Sequence, residues 1–380
     1  MSYGVLLFVY ATSALLYTYM VYPALLLIGR RTTQPVIKGF SGSLPTVSVI
    51  IPFHNEKRWV RQKLENTLQL EYPAERLQVI AVSDGSSDGT EEILKQYRDR
   101  IHVISYRPRQ GKPTALNTGA LQASGDILLF SDANVMVNSD ALRILVRQYG
   151  DPSIGGVCGN VALQAEGAHE PLGEGIYMRY ERWLYNQESR AFTMVGADGA
   201  LFSIRRSLFI PLPADTITDD FAVALSIVAQ RRRVVYEAAA RATEVVVPDV
   251  KAEFRRKVRM IAGGYQTLWR HNILLNPFRH PVVAWQLISH KLLRWLVPVL
   301  LVTTFLTAFA ERQYPVMAVA LVLQMVFYCL AFCGWISQRL RRWMPVYVPY
   351  YFCAVNVAAA IGLWRYLIGQ QSVLWQKVSR

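Results

Sequence analysis

The sequence predicts an α/β domain built on a mostly parallel sheet, placed between one N-terminal and three C-terminal transmembrane helices. Three observations predict it. Short apolar runs alternate with helical spacing from Val47 to about Val250, the pattern of strands joined by crossover helices. Residues Ser2 to Gly29 hold no charged side chain, enough to span a bilayer, which needs ~20 apolar residues. Further apolar stretches follow residue 290. The implied organisation is a span over 1–29, a linker over 30–45, the α/β domain over 46–250, an interfacial segment over 251–285, three spans over 286–370 and a tail over 371–380.

Composition agrees. The 380 residues are 52% hydrophobic and only 18% charged. The net charge of +14 fits nucleic acid, anionic lipid or a phosphate-bearing ligand. The basic residues decide among these, because they flank apolar stretches: Arg30-Arg31, Arg255 to Arg259, Arg339 to Arg342. That is the placement of cytoplasmic flanks, and with no zinc-finger or RNA-binding spacing a nucleic-acid partner is not expected. Cys158, Cys329, Cys333 and Cys353 form no CxxC pair, so they read as buried free thiols.

The first span lacks the positive start and short apolar core of a cleaved leader, and Arg30-Arg31 follows it as a cytoplasmic stop. Leu296–Ala310, extended back through Leu292, then Pro315–Ile336 and Val346–Ile368 are the C-terminal spans. The basic loop Gln338 to Arg342 is cytoplasmic by the positive-inside rule. Parity then puts the N-terminus outside, the central domain in the cytoplasm and the C-terminal tail outside. Phe254 to His280 mixes Arg and Lys with Phe, Leu, Trp and Tyr, an amphipathic interfacial segment broken by Asn276-Pro277 and His280-Pro281.

Within the domain, strands are expected at Val47–Ile51, Gln78–Val82, His102–Ser105 and Asp126–Phe130. Helices are expected at Trp59–Leu70, Gly89–Tyr97 and Thr114–Gln122. Open parallel sheets bind ligands beyond the carboxyl ends of their strands, and polar clusters stand there. They are Pro52-Phe53-His54-Asn55-Glu56, Ser83-Asp84-Gly85-Ser86-Ser87-Asp88-Gly89-Thr90, Arg109-Gln110-Gly111-Lys112 and Ser131-Asp132-Ala133-Asn134. Asp84-Gly85 also reads as a turn ahead of a helix cap. Four polar ends on one edge argue for a site.

These motifs, with Gly111-Lys112-x-x-Ala115-Leu116-Asn117 and Thr218-Asp219-Asp220, resemble a family 2 glycosyltransferase of the GT-A (Rossmann-like) fold over residues 46–270. The membrane layout resembles bacterial polysaccharide synthases of that family. The resemblance implies an inverting transfer of a sugar from a UDP-sugar donor to a glycan or lipid-linked acceptor at the inner membrane. It places Pro52, Glu56 and Asp84 by the nucleoside and Lys112 by phosphate, with Asn117 bracing a turn. Asp132 becomes the ligand of Mg2+ or Mn2+, with Asn134 where the family has a second aspartate. An amide oxygen can ligate a hard cation but brings no charge. Asp220 becomes the base that deprotonates the acceptor, with Asp219 in place of the family's glutamate. Thr218 as an N-cap with two acids in the first turn is the coexisting structural reading.

Gly196-Ala197-Asp198-Gly199 resembles the acceptor-binding stretch, where small residues let a sugar approach the backbone. Arg256-Lys257-Val258-Arg259-Met260 stands where processive members carry Gln-x-x-Arg-Trp. Arg259 matches the arginine toward the diphosphate, and Met260 replaces the tryptophan platform. Polymer synthesis, single addition to a lipid-linked acceptor, and a non-catalytic nucleotide-binding subunit among export partners are the three readings, with membrane lipid a partner in each.

Overall fold

The computed structural model describes residues 2–29, 43–165, 172–246 and 250–372. The Arg30-Arg31 flank and the C-terminal Lys377 and Arg380 lie outside the described residues, as do most of the linker and tail.

In chain order, helix α1 (Tyr3–Gly29) precedes β1 (Val47–Phe53), α2 (Lys57–Leu68), β2 (Leu77–Asp84), α3 (Thr90–Lys95), β3 (His102–Tyr106), α4 (Lys112–Leu121) and β4 (Ile127–Phe130). Then come β5 (Val135–Val137), α5 (Ala141–Arg147), β6 (Ile154–Ala165), α6 (Leu172–Ala191), β7 (Phe202–Arg205), α7 (Asp219–Ala229), β8 (Arg233–Val246) and α8 (Val250–Arg270). Helices α9 (Pro281–Ala310), α10 (Pro315–Ile336) and α11 (Met344–Leu367) close the described chain. Together with α1, these three are long and apolar enough to cross a membrane.

The eight strands form one sheet in the order β3-β2-β1-β4-β7-β6-β8-β5. The first four, those expected from the sequence, are parallel, with Val49 opposite both Val79 and Leu129. The expectation of a mostly parallel sheet holds only for that half. β7 runs antiparallel between β4 and β6, and β5 antiparallel to β8, so the sheet is mixed. The four later strands were not foreseen: β5 and β7 are only three and four residues long, while β6 and β8 run for 12 and 14 residues.

Both faces of the sheet are covered, which is why all seven residues of β1 are buried and read as an unbroken apolar run. Val47, Val49, Ile51 and Phe53 pack on one side with Val60 and Leu64 of α2. Ile50 points to the other side, among Leu116 of α4 and Phe221, Leu225 and Val228 of α7. That second core also takes in Leu268 of α8 and Val283 and Leu287 of α9. The α/β domain and the start of α9 therefore share one hydrophobic core. α1 packs through a separate cluster, Tyr22 and Leu26 with Leu184 of α6, and through hydrogen bonds: Trp285 Nε1 of α9 donates to Tyr17 Oη at 2.8 Å, and Tyr22 Oη donates to Glu188 of α6.

The amphipathic segment is helical over Val250–Arg270, as α8, and continues as a 3-10 turn at Asn272–Leu275, so the helix ends before the expected break at Asn276-Pro277. Gly263 lets it approach the chain ahead of α7, where an added Cβ would lie 2.6 Å from Ile217 Cγ2. Side chains complete the joint. Gln266 Oε1 accepts from Ile217 N at 3.1 Å, and the hydroxyls of Thr218 and Thr267 lie 3.0 Å apart. Thr218 does occupy the N-cap position of α7, but it makes no side-chain capping bond. Its hydroxyl goes to α8 instead, which corrects the capping expectation.

Candidate active site

The carboxyl ends of β1, β2 and β4 converge with the start of α7. At β1, Pro52 stands opposite Val82 of β2, and Glu56 is the buried residue that opens α2, its backbone N–H donating to Thr90 Oγ1 at 2.9 Å. Asp84 ends β2, and its two carboxylate oxygens accept from Gln110 N at 2.6 Å and Gly111 N at 2.8 Å. It thereby shapes the turn that launches α4. Gly85, at φ +61°, passes so close to this turn that a Cβ would lie 2.8 Å from Arg109 N, so glycine is required there. Sequence reasoning aimed Asp84 at the nucleoside; in the structure its oxygens serve the turn that positions Lys112.

Lys112 is the first residue of α4. Its ammonium lies 2.8 Å from Asp132 Oδ1 and 3.2 Å from Asp219 Oδ2. Burial works against this charge, but Asp132 and Asp219 outweigh it and raise its pKa above the usual lysine value. A surface lysine is thus ruled out: one cation bridges two motifs that are far apart in sequence. Asn117, one helical turn on, exchanges two hydrogen bonds of 2.8 Å with the backbone of Leu212. It braces the loop that leads to Asp219, at a point 95 residues on, and not the turn that follows its own helix.

Asp220, next to that bridge, accepts from Phe221 N at 2.7 Å through Oδ1 and from Gly199 N at 3.2 Å through Oδ2. Burial, followed by the charge of Asp219, pushes it up to about 6, with Lys112 pulling the other way. Asp198, half-buried, accepts from Ala200 N at 3.1 Å. Burial and then the charge of Glu244 push it up to about 7. The Gly196-Ala197-Asp198-Gly199 stretch therefore does meet the Thr218-Asp219-Asp220 motif. Arg259 hangs from α8 over the same point, Nη1 donating to Ile217 O at 3.4 Å. Burial lowers its pKa, and Asp219 and Asp220 pull it back up.

Asn134 is placed differently from Asp132. Its amide nitrogen donates to Glu244 Oε1 at 3.1 Å and to Val245 O at 3.3 Å on β8, so the side chain is tied to the sheet edge. No trio of His, Cys, Asp or Glu that could hold a metal occurs among the described residues. What stands at the β4 end is one partly exposed carboxylate, Asp132. A hard cation held by one or two carboxylates, with phosphate and water completing its shell, is the usual way magnesium is bound at phosphate sites. The donor set fits a cation that arrives with a phosphate ligand and does not fit a preformed cage.

Two residues of this constellation were missed. Lys63 is fully buried under the Asp132 turn, donating to Ser131 Oγ at 2.7 Å and Val135 O at 2.6 Å. Burial lowers its pKa to about 7, against the pull of Asp132. The signal was present: Val60, Lys63, Leu64 and Thr67 form a buried stripe at helical spacing, so a lysine falls on the inner face. Glu244, the neighbour of both Asn134 and Asp198, carried no sequence signal, because its strand was not foreseen. Met260 is 46% exposed and Trp269 69% exposed, so both side chains point largely outward.

Residues 48–210 match the family model described as Glycosyl transferase family 2. A poly-beta-1,6-N-acetyl-D-glucosamine synthase of Staphylococcus aureus (strain COL) is 29% identical over 238 residues, covering 60% of this chain and 56% of that protein. The enzyme of the same name from Staphylococcus epidermidis is 25% identical over 245 residues, covering 62% and 58%. The chain thus matches a little over half the length of these relatives. Among solved structures, the mannosyltransferase PcManGT from Pyrobaculum calidifontis, in complex with GDP-Man and Mn2+, superimposes with a TM-score of 0.73 at 20% identity. The match covers 96% of this chain and 99% of that one. The likeness extends through the apolar helices and establishes a shared GT-A fold. Residues 48–210 are thus similar to family 2 glycosyltransferases, and the chain has a GT-A fold with one N-terminal and three C-terminal apolar helices.

Proposed function

We propose that the protein is an inverting glycosyltransferase that moves a sugar from a UDP-sugar to a growing exopolysaccharide or other glycan at the inner membrane. The observation that carries this reading is the position of Asp220: a half-buried carboxylate held by Gly199 N–H and set beside the Lys112 bridge between Asp132 and Asp219. With a pKa near 6 it is ionised at neutral pH yet basic enough to take a proton. The acceptor hydroxyl gives its proton to Asp220, the new glycosidic C–O bond forms, and the bond from the anomeric carbon to the diphosphate breaks with UDP as leaving group.

Lys112 and Arg259 supply positive charge where the diphosphate departs. Asp132 would hold Mg2+ or Mn2+ together with the donor phosphates, and the cation would add Lewis-acid stabilisation of the leaving group. Asp84 and Glu56, at the ends of β2 and β1, flank the nucleoside side. The basic loop Arg339 to Arg342 supports a cytoplasmic domain. The names of the staphylococcal relatives support a polysaccharide product, with export subunits as further partners.

A second reading, single addition to a lipid-linked acceptor, is favoured by Met260, an exposed side chain at the position of the expected aromatic platform. The test is release of UDP across a donor panel by the purified membrane protein, with mass analysis of the product and Asp220→Asn as control. A polymer ladder supports the first reading and a single-sugar lipid the second. No release from any nucleotide-sugar would overturn both.

A further inference from the structure

A network of buried polar side chains joins three helices to the chain just ahead of the 196–199 turn. At its centre is Glu188 of α6, which has no exposed surface. Its Oε1 accepts from Tyr22 Oη of α1 and lies 2.6 Å from His290 Nδ1 of α9. Its Oε2 accepts from the backbone N–H of Val195 at 3.3 Å. His290 continues the network to Glu181 at 3.2 Å, and Glu181 pairs with Arg294.

Two irregular turns meet at this network. Residues Tyr17–Val21 of α1 and Leu287–Leu292 of α9 are both π-helical. Such turns are rare and recur at functional sites. They touch through Tyr17 Oη and Ser289 Oγ, 2.8 Å apart. The first ends next to Tyr22, and the second contains His290. The second also brings Lys291 against the 196–199 turn, where a Cβ on Gly196 would lie 3.4 Å from Lys291 Nζ.

Energetics favour a role in geometry over one in stability. A buried carboxylate loses its hydration, and replacing buried ion pairs by well-packed apolar side chains is often neutral or stabilising. What the carboxylate adds is direction, because a hydrogen bond fixes an angle as well as a distance. That direction is delivered to a sparsely anchored stretch. Gly196 and Ala197 make no backbone hydrogen bond among the described residues, so the stretch is fixed at its ends. On one side Met194 N donates to Val234 O at 2.8 Å and Val195 N donates to Glu188. On the other, Asp198 N donates to Cys158 Sγ and Gly199 N to Asp220 Oδ2, both at 3.2 Å.

We infer that Glu188 is a positioning residue for the transfer: held by Tyr22 and His290, it fixes Val195 and with it the 196–199 turn, so that the Gly199 N–H stays on Asp220. The inference rests on the transferase reading and adds to it a residue that acts through the turn. This route sets the sign of the effect on Asp220. The Gly199 N–H favours the ionised carboxylate, so its loss makes Asp220 harder to ionise and moves the acid limb of the rate profile to higher pH. Removing the charge of Glu188, if it acted through space, would move the limb to lower pH. Asp219, Lys112, Asp198, Arg259 and Lys291 also act on Asp220, and all stay in place in the variants that test the route.

The test uses the full chain in nanodiscs. Glu188→Met removes the acceptor of Val195 N. It is expected to lower kcat about tenfold or more, leave the donor KM unchanged, move the acid limb to higher pH and speed amide hydrogen exchange over residues 192–200. Tyr22→Phe keeps the carboxylate and removes one of its donors, so it is expected to fold and to show the same changes to a lesser degree. Glu188→Gln, whose amide oxygen still accepts from Val195 N, is expected to recover most of kcat. Trp285→Phe removes the bond to Tyr17 Oη and no bond to Glu188; it should lower the thermal midpoint without moving the limb. The inference is overturned by a limb that stays put or moves to lower pH in Glu188→Met and Tyr22→Phe, by a limb moved equally by Trp285→Phe, or by Glu188→Gln as slow as Glu188→Met. If the wild type releases no nucleotide while exchange responds to Glu188→Met and not to Trp285→Phe, the transferase reading fails and the link to the turn stands. If the wild type is active and exchange ignores Glu188→Met, the link alone fails.

Discussion

The backbone N–H of Gly199 donates to Asp220 Oδ2 at 3.2 Å, and an added Cβ at Gly199 would lie 3.1 Å from Asp220 Cβ. The acceptor stretch and the candidate base thus share one contact with no room for a side chain. Gly199→Ala is expected to displace the Asp220 carboxylate by a few tenths of an ångström and cut turnover about tenfold or more, with donor binding retained. Turnover and donor affinity measured separately check this; equal loss in both would mean that the loop, and not the carboxylate, was disturbed.

Asp219→Asn removes the negative charge that, after burial, raises Asp220. A base must be deprotonated to act, so activity falls as pH drops through its pKa, near 6. With Asp219 neutral, Asp220 ionises more easily, and the acid limb of the rate profile moves to lower pH. The measurement is kcat/KM for nucleotide release from acid to neutral pH; an unmoved limb would detach Asp220 from it.

Lys112→Met shifts the same limb the other way. The ammonium opposes the rise in the pKa of Asp220 and neutralises Asp132 and Asp219. Its loss leaves three acids together, raises the limb and lowers the maximal rate about 100-fold. The opposite directions of these two shifts distinguish an electrostatic role from simple misfolding.

Lys63→Met deprives Ser131 Oγ and Val135 O of their buried donor. Each unsatisfied acceptor costs about 1–3 kcal/mol, so the denaturation midpoint should fall. Ser131 also donates to Ala200 O at 3.0 Å, so the loss spreads to the acceptor stretch. An unchanged midpoint would show the ammonium to be dispensable.

Asp198 titrates near 7 when folded and near ~4 when unfolded. Between these values the folded state holds more protons, so this group's stabilising contribution, present at low pH, is lost as pH rises through 7. Asp198→Asn should remove that decline. Thermal unfolding compared on both sides of pH 7 tests it: parallel curves for variant and wild type would contradict the raised pKa.

The sequence by itself determined the four parallel strands, the polar clusters at their ends and the apolar helices, and it singled out Asp84, Lys112, Asp132, Asp219 and Asp220 as candidates. Each is a local signal. A doubly covered strand is a continuous apolar run, a span is a length without charge, and a strand-end motif is contiguous. Only the tertiary structure decided which motifs touch. Lys112 could have faced solvent or a phosphate; that it bridges Asp132 and Asp219 follows from α4 and α7 packing on the same sheet face. Thr218 looked like a cap because capping is local, but α8 comes close enough at Gly263 to claim its hydroxyl. The resemblance offered Asn134 as a ligand through its amide oxygen; only the structure shows that its amide nitrogen is held by a strand, β8, more than 100 residues away. Lys63 under the Asp132 turn and Lys291 beside Gly196 became visible only once helices distant in sequence were brought together. Pairings of that kind are set by the shared core, which no short window of sequence encodes.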